Sequence, residues 1–172
     1  NRVNLVYSID KGEKAKITRI YFLGDKKIRD KRLRDVITSE EGRFWKFISK
    51  DKYLDEQKVK LDESLLFKYF KNKGYYNVKI KSSYAKIIGN KFFELNFNID
   101  AGNKYYFNDI TMKIDTDFSD ENFSKLDKIF KNLKGKKYSI NSLNKILKEI
   151  DLIALQKEFV FINAKYEEKV LD

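Results

Sequence analysis

The chain has 172 residues, of which 42% are hydrophobic and 15% aromatic, enough apolar side chain for two small cores and unlike the aromatic-poor composition of disordered chains. It contains no cysteine and no histidine, which removes disulfides, thiolate chemistry and the commonest metal ligand and general base, and no apolar run approaches the roughly 20 residues that span a bilayer. The net charge of +11 is lopsided, with 24 Lys and Arg against 14 Asp and Glu in residues 1–100 but 13 against 12 in residues 101–172.

Such a charge steers equally toward acidic proteins, anionic lipid or nucleic acid. The general richness in Lys, Asn, Ile, Phe and Tyr is enough to account for it, so charge by itself selects no partner.

The chain opens on a segment that returns ninety positions later. Val3-Asn4-Leu5-Val6-Tyr7-Ser8-Ile9-Asp10-Lys11-Gly12-Glu13-Lys14 aligns without a gap on Phe93-Glu94-Leu95-Asn96-Phe97-Asn98-Ile99-Asp100-Ala101-Gly102-Asn103-Lys104. Each copy reads as strand, Gly turn and the start of a second strand, and self-similarity at this period marks a row of small domains. Residues 1–10 then read as the last strand of a preceding domain, 11–101 as a complete domain, and 102–172 as a domain lacking its final strand.

Within 11–101, residues 17–23 alternate Ile17, Arg19 and Tyr21 with Thr18, Ile20 and Phe22 before Gly24-Asp25, a strand followed by a turn. Asp30 is placed to cap a short helix carrying Leu33, Val36 and Ile37, ending near Thr38. After a loop holding Phe44, Trp45 and Phe47, a longer helix begins near Asp55. Leu61, Leu65 and Tyr69 stack at i, i+4, i+8 beside Leu66 and Phe70, with Gly74 as its terminal cap. Residues 77–87 and 92–100 form two strands joined at Gly89-Asn90, a pair suited to a tight hairpin.

The second unit repeats this order as far as it goes. Residues 104–114 predict its first strand, and Ser119 or Asp120 caps a helix with Phe123, Leu126, Ile129, Phe130 and Leu133, closed by Gly135. A helix with Leu143, Ile146, Leu147, Ile150, Ile153 and Ala154 follows the i, i+3, i+4, i+7 rule, and residues 160–168 predict the second strand. Two helices between strands one and two return the chain to its starting side. Strand three therefore either pairs parallel to strand one in the middle of a mixed sheet or lies beyond strand two.

The recurring strand, helix, helix, strand, strand order, with Ile-Asp-x-Gly-x-Lys before each first strand, resembles the POTRA domains of the BamA outer-membrane assembly factor family. Phe44-Trp45-Lys46-Phe47-Ile48-Ser49, Asp51-Lys52-Tyr53, Asp62-Glu63-Ser64-Leu65-Leu66 and Asn72-Lys73-Gly74-Tyr75-Tyr76 are similar to the family's third POTRA, and the remainder to part of a fourth. Lys157-Glu158-Phe159 stands where the family has a Gly-Tyr element. The resemblance implies an α+β fold of tandem POTRA-like βααββ units, each a three-stranded mixed sheet covered by two antiparallel helices, with strand three central and strand two on the edge.

The resemblance also implies a periplasmic arm at the Gram-negative outer membrane. Its partners would be unfolded outer-membrane β-barrel proteins, the lipoproteins of the assembly machine, and a C-terminal membrane barrel that has no counterpart in these residues. Unpaired peptide groups on an edge strand accept an extended chain as a further strand, by β-augmentation. For the first unit that edge is Asn77, Val78, Lys79, Ile80, Lys81, Ser82, Ser83 and Tyr84, where proline at Lys79 or Lys81 is expected to weaken binding. Lys79 and Lys81 read equally as gatekeepers against edge pairing. Phe44, Trp45 and Phe47 are a possible aromatic contact or a cover for the helix pair, and Gly12 and Gly102 are the expected hinges.

Two other classes compete. Lys73-Gly74-Tyr75-Tyr76-Asn77-Val78-Lys79-Ile80 partly matches an RNA-binding signature, as a basic single-stranded nucleic-acid module would, but fails at Tyr76, Asn77 and Ile80, and Asn77 replaces an aromatic that base stacking needs; no nucleic-acid partner is expected. No phosphate loop, nucleophile elbow, thiol or imidazole supports an enzyme or a cofactor site. Asp51, Asp55, Asp62 and Glu63, on or near a helix, read as solvated charges.

Overall fold

The computed structural model describes residues 3–9, 15–42, 53–86, 92–115, 119–159 and 162–171. Packing divides the chain into two compact units, Asn1–Leu66 with Ile80–Ile99, and Phe67–Lys79 with Asp100–Asp172.

The first unit holds a three-stranded mixed sheet of β1 (Lys16–Asp25), β2 (Lys79–Lys86) and β3 (Phe92–Asp100) in the order β1-β3-β2. Of the two arrangements open to the sequence, the central strand is the third. Leu95, Phe97 and Ile99 on β3 are buried with a strict period of two, as a strand with one face on the core requires. β1 departs from its predicted alternation. Ile17, Ile20 and Phe22 are buried, and the three-residue step from Ile17 to Ile20 slips the period by one, the mark of a bulge. Phe22 then stacks on Phe97 at 5.7 Å between ring centres. Where β1 ends, Gly24 has φ +81°, and a side chain there would lie 2.6 Å from Asn98 Oδ1 and closer still to the Ile99 carbonyl oxygen.

Two helices follow β1. The first, α1 (Asp30–Arg34), is shorter than predicted and starts on Asp30 itself, after an extended Arg29. Leu33 is buried, but Val36 and Ile37 lie beyond the helix. Past the helix the chain is held by a buried carboxylate. Asp62, fully buried, accepts from Thr38 N at 2.6 Å, Thr38 Oγ1 at 2.7 Å and Ser39 N at 3.0 Å.

The second helix, α2 (Glu56–Asn72), starts as predicted: Asp55 Oδ1 accepts from Gln57 N at 2.9 Å and Lys58 N at 3.1 Å, a side-chain N-cap. Its buried stripe is Val59, Asp62, Leu66 and Phe70, while Leu61 is 50% exposed. The stripe is rotated from the predicted Leu61-Leu65-Tyr69 face because a hydrogen-bonded carboxylate, rather than a leucine, fills one inward position.

The helix runs on into the second unit and ends in a Schellman cap. Tyr75 N donates to Phe70 O at 3.1 Å and Gly74 N to Lys71 O at 3.3 Å, with Gly74 at φ +98° and Tyr75 packed on Phe70 at 5.6 Å.

The rest of the second unit is built on α3 (Ser124–Leu133), preceded by a 3-10 turn at Asp120–Phe123, and α4 (Ile140–Gln156). Phe123, Leu126 and Ile153 form its core, with Met112, Ile114, Ile129, Phe130, Ile150, Phe159 and Ile162 packed around them. Strands expected at 104–114 and 160–168 are not formed among the described residues. Residues 3–9 likewise form no strand, and Val3, Leu5, Val6, Tyr7 and Ile9 are exposed.

The repeat is nevertheless visible in backbone geometry. In the first unit Lys16 bridges Tyr53 and in the second Tyr106 bridges Lys137, both antiparallel. Lys16 and Tyr106 are separated by the same ninety positions as the two copies of the opening segment. At the other end, α4 closes like α2: Phe159 N donates to Ala154 O at 3.0 Å and Glu158 N to Leu155 O at 3.3 Å, with Glu158 at φ +57°. Lys157-Glu158-Phe159 therefore makes the glycine-type cap without the glycine.

Candidate docking edge

β1 and β2 are the two outer strands of the sheet, and their free sides are treated differently. On β1, peptide groups facing away from β3 already have partners. Ala15 O accepts from Leu54 N and Ile17 O from Gly42 N, each at 2.8 Å. Ile20 N donates to Glu41 Oε1 at 3.0 Å, and Ile20 O accepts from Arg34 Nη2 at 2.7 Å. Phe22 O accepts from Lys26 Nζ at 2.8 Å, and Lys26 is itself paired with Asp30 at 2.5 Å. A strand arriving on this side would meet occupied groups.

On β2 one side chain among the described residues meets the free side: Ser82 N donates to Glu63 Oε1, on α2, at 2.5 Å. That bond fixes the register, because peptide groups alternate along a strand. The amides of Ile80 and Ser82 face outward, while those of Lys79 and Lys81 face β3. The side chains of Lys79 and Lys81 are exposed while those of Ile80 and Ser82 are half-buried, the period of two that a strand requires. A proline at Lys79 or Lys81 would therefore break the ladder to β3, not the outer edge, and the informative position is Ser82.

The remaining predicted residues separate. Asn77 and Val78 precede β2; Val78 is buried, and Asn77 Nδ2 donates to Tyr105 OH at 2.8 Å. Ser83 and Tyr84 lie within the strand. Phe44, Trp45 and Phe47 lie outside the described residues, as do Gly12, Asp51 and the hairpin turn. Gly102 has φ +65° with open space around it.

The carboxylates read from sequence as solvated have specific work instead. Asp55 caps α2, Asp62 anchors residues 38–39, and Glu63 holds an edge amide. Their sequence signal was positional: Asp62 falls on the helical face of Val59, Leu66 and Phe70. Among the described residues no group of three or more acidic side chains converges on a metal position.

The stretch resembling an RNA-binding signature offers no stacking platform. Tyr75 is buried against Phe70, and Tyr76 packs on Tyr105 at 5.4 Å and on Tyr138 at 5.0 Å, with the Lys71 ammonium 4.0 Å from its ring centre. Tyr138 OH donates to Glu168 Oε1 at 2.7 Å. Burial first, and then this carboxylate, push the Tyr138 phenol well above its ordinary range, and the same causes raise Tyr76.

A βααββ module whose third strand is central in a β1-β3-β2 sheet defines the class to which the fold belongs. The chain belongs to the POTRA family: that family's profile, described as "Surface antigen variable number repeat", matches residues 15–102. The chain is 25% identical over 151 residues to the outer membrane protein assembly factor BamA of Neisseria meningitidis, covering 87% of this chain and 19% of that protein's length. In fold it is similar to the third to fifth POTRA domains of Haemophilus influenzae BamA, with a TM-score of 0.58, 13% identity, and 87% and 53% of the two chains covered. It is also similar to the first two POTRA domains of the periplasmic part of Anabaena Omp85, with a TM-score of 0.55, 13% identity, and 92% and 90% covered.

Proposed function

We propose that this chain is part of a periplasmic scaffold in an outer-membrane protein assembly machine. It takes extended polypeptides, unfolded β-barrel clients and partner lipoproteins, as an added strand on β2. The observation that carries this reading is the position of β2 at the outside of the β1-β3-β2 sheet with outward amides at Ile80 and Ser82. Membership of the POTRA family and similarity to a protein named as an outer membrane protein assembly factor supply the setting, on the periplasmic side of the outer membrane and beside a membrane barrel belonging to the same assembly factor. Backbone pairing gives affinity with little dependence on client sequence, and alternate side chains tune it.

The test is Ser82→Pro, which deletes an outward donor and leaves the bonds to β3 in place, since proline is tolerated on an edge at such a position. Binding of a peptide of about ten residues alternating apolar and polar side chains, the pattern of a barrel strand, is measured by calorimetry on the full chain. A large loss of affinity with an unchanged far-ultraviolet spectrum supports the proposal. Wild-type affinity in the variant rejects it.

A further inference from the structure

We propose that Glu63 is a displaceable guard on the β2 edge. Its carboxylate occupies the Ser82 amide in place of the first carbonyl of an incoming strand, and docking exchanges one for the other. The inference rests on the reading of β2 as the docking strand and adds how that strand is kept closed when empty.

Three observations carry it. The Ser82 N–H, facing away from β3, is met by a side chain from a different element, nineteen positions earlier in sequence, at 2.5 Å. A carboxylate bonded to an amide is charge-assisted and among the stronger single contacts available to an edge.

Glu63 also directly follows Asp62, whose bonds to Thr38 and Ser39 fix this turn of α2, so the guard is aimed by a rigid neighbour. Finally, the seal among the described residues is a single bond. β1 closes its edge with backbone from residues 42 and 54 and with Arg34, Glu41 and Lys26 together, whereas on β2, among the described residues, one half-buried side chain does so. A strand offering a ladder of carbonyls outcompetes one carboxylate; a single stray carbonyl does not. The guard thus selects for partners able to pair over several residues, and it blunts edge-to-edge association of two copies of the chain.

The experiment uses the full chain with Glu63→Ala and Glu63→Gln, and it has two readouts. In the free protein, amide hydrogen exchange followed by NMR is expected to show Ser82 exchanging about tenfold faster in E63A, with an intermediate rate in E63Q, because an amide oxygen accepts more weakly than a carboxylate. With the alternating peptide, E63A is expected to bind roughly five- to tenfold more tightly than wild type, the release of one competing hydrogen bond, and the gain is expected to vanish in the Ser82→Pro background. Unchanged Ser82 exchange in both variants overturns the guard even if no peptide binds, and so does faster exchange with unchanged peptide affinity. Loss of peptide binding in E63A with a normal melting temperature also overturns it, making Glu63 a support of the edge rather than its cover. The docking reading fails separately, when Ser82→Pro binds as wild type does.

Discussion

The two outer strands of one small sheet solve the same problem in opposite ways. β1 is sewn shut: a backbone amide takes each of Ala15 O and Ile17 O, and Glu41, Arg34 and Lys26 take the exposed groups of Ile20 and Phe22. Among the described residues β2 is held by a single carboxylate on Ser82, and it carries the exposed Lys79 and Lys81. The difference begins in the connections. The chain after α1 runs back along β1 and donates backbone to it, whereas β2 is met, among the described residues, by a side chain of α2. One edge is finished by the fold and the other is left to a side chain, which can move.

The comparison breaks most sharply at Asp62, which pins residues 38–39 and with them the strip carrying Glu41 and Gly42. Asp62→Ala leaves Thr38 N, Thr38 Oγ1 and Ser39 N unpaired in the interior and is expected to cost about 3 kcal/mol, lowering the melting temperature by about 10 °C or more; differential scanning calorimetry measures it. Unsealing β1 directly with Glu41→Ala removes the acceptor of Ile20 N and the partner of Arg34, at about 1 to 2 kcal/mol. Concentration-dependent self-association in sedimentation velocity is expected to follow, absent in wild type, if that edge is closed by these bonds. Ser82→Pro sharpens the contrast from the other side, because it is expected to cost no more than about 1 kcal/mol of stability in denaturant titration while removing peptide binding.

The smallest effect concerns the caps. Glu158 holds a left-handed conformation that Gly74 holds without penalty, so Glu158→Gly is expected to stabilise the second unit by about 0.5 to 1 kcal/mol, read as a shift in urea midpoint. Gly74→Glu is expected to do the reverse.

Much of this was legible in the chain. The apolar helical run placed the start of α2 near Asp55, though not Asp55's role as its cap, and Lys71 to Gly74 gave its end, because a C-terminal glycine cap is local chemistry written within a few residues. The strict alternation of Leu95, Phe97 and Ile99 marked β3, but whether it lay centrally depended on pairing across distant sequence and became visible only through family resemblance. The bulge in β1 was hidden because either phase of the alternation at residues 17–22 is apolar enough to pass for the inward face. Asp62 was misread for a related reason: a carboxylate at a helical core position becomes acceptable only when unrelated amides converge on it, and Thr38 and Ser39 are 24 and 23 positions away. Glu63 on Ser82 was illegible by the same logic, since sequence shows neither the register of β2 nor the reach of a side chain across it.

The paired bridges have a consequence for engineering. Lys16 and Tyr53 stand 37 positions apart and their equivalents, Tyr106 and Lys137, stand 31 apart, while the caps at Gly74 and Glu158 keep the same spacing from the bridge in both units. The six extra residues of the first unit therefore fall between Lys16 and Tyr53, the stretch that carries β1, α1 and residues 38–42. Both anchoring pairs thus accommodate a six-residue difference in the span they enclose, and a fluorophore, crosslinker or epitope grafted into the first unit's span has to spare Glu41, Gly42 and Leu54, which close β1.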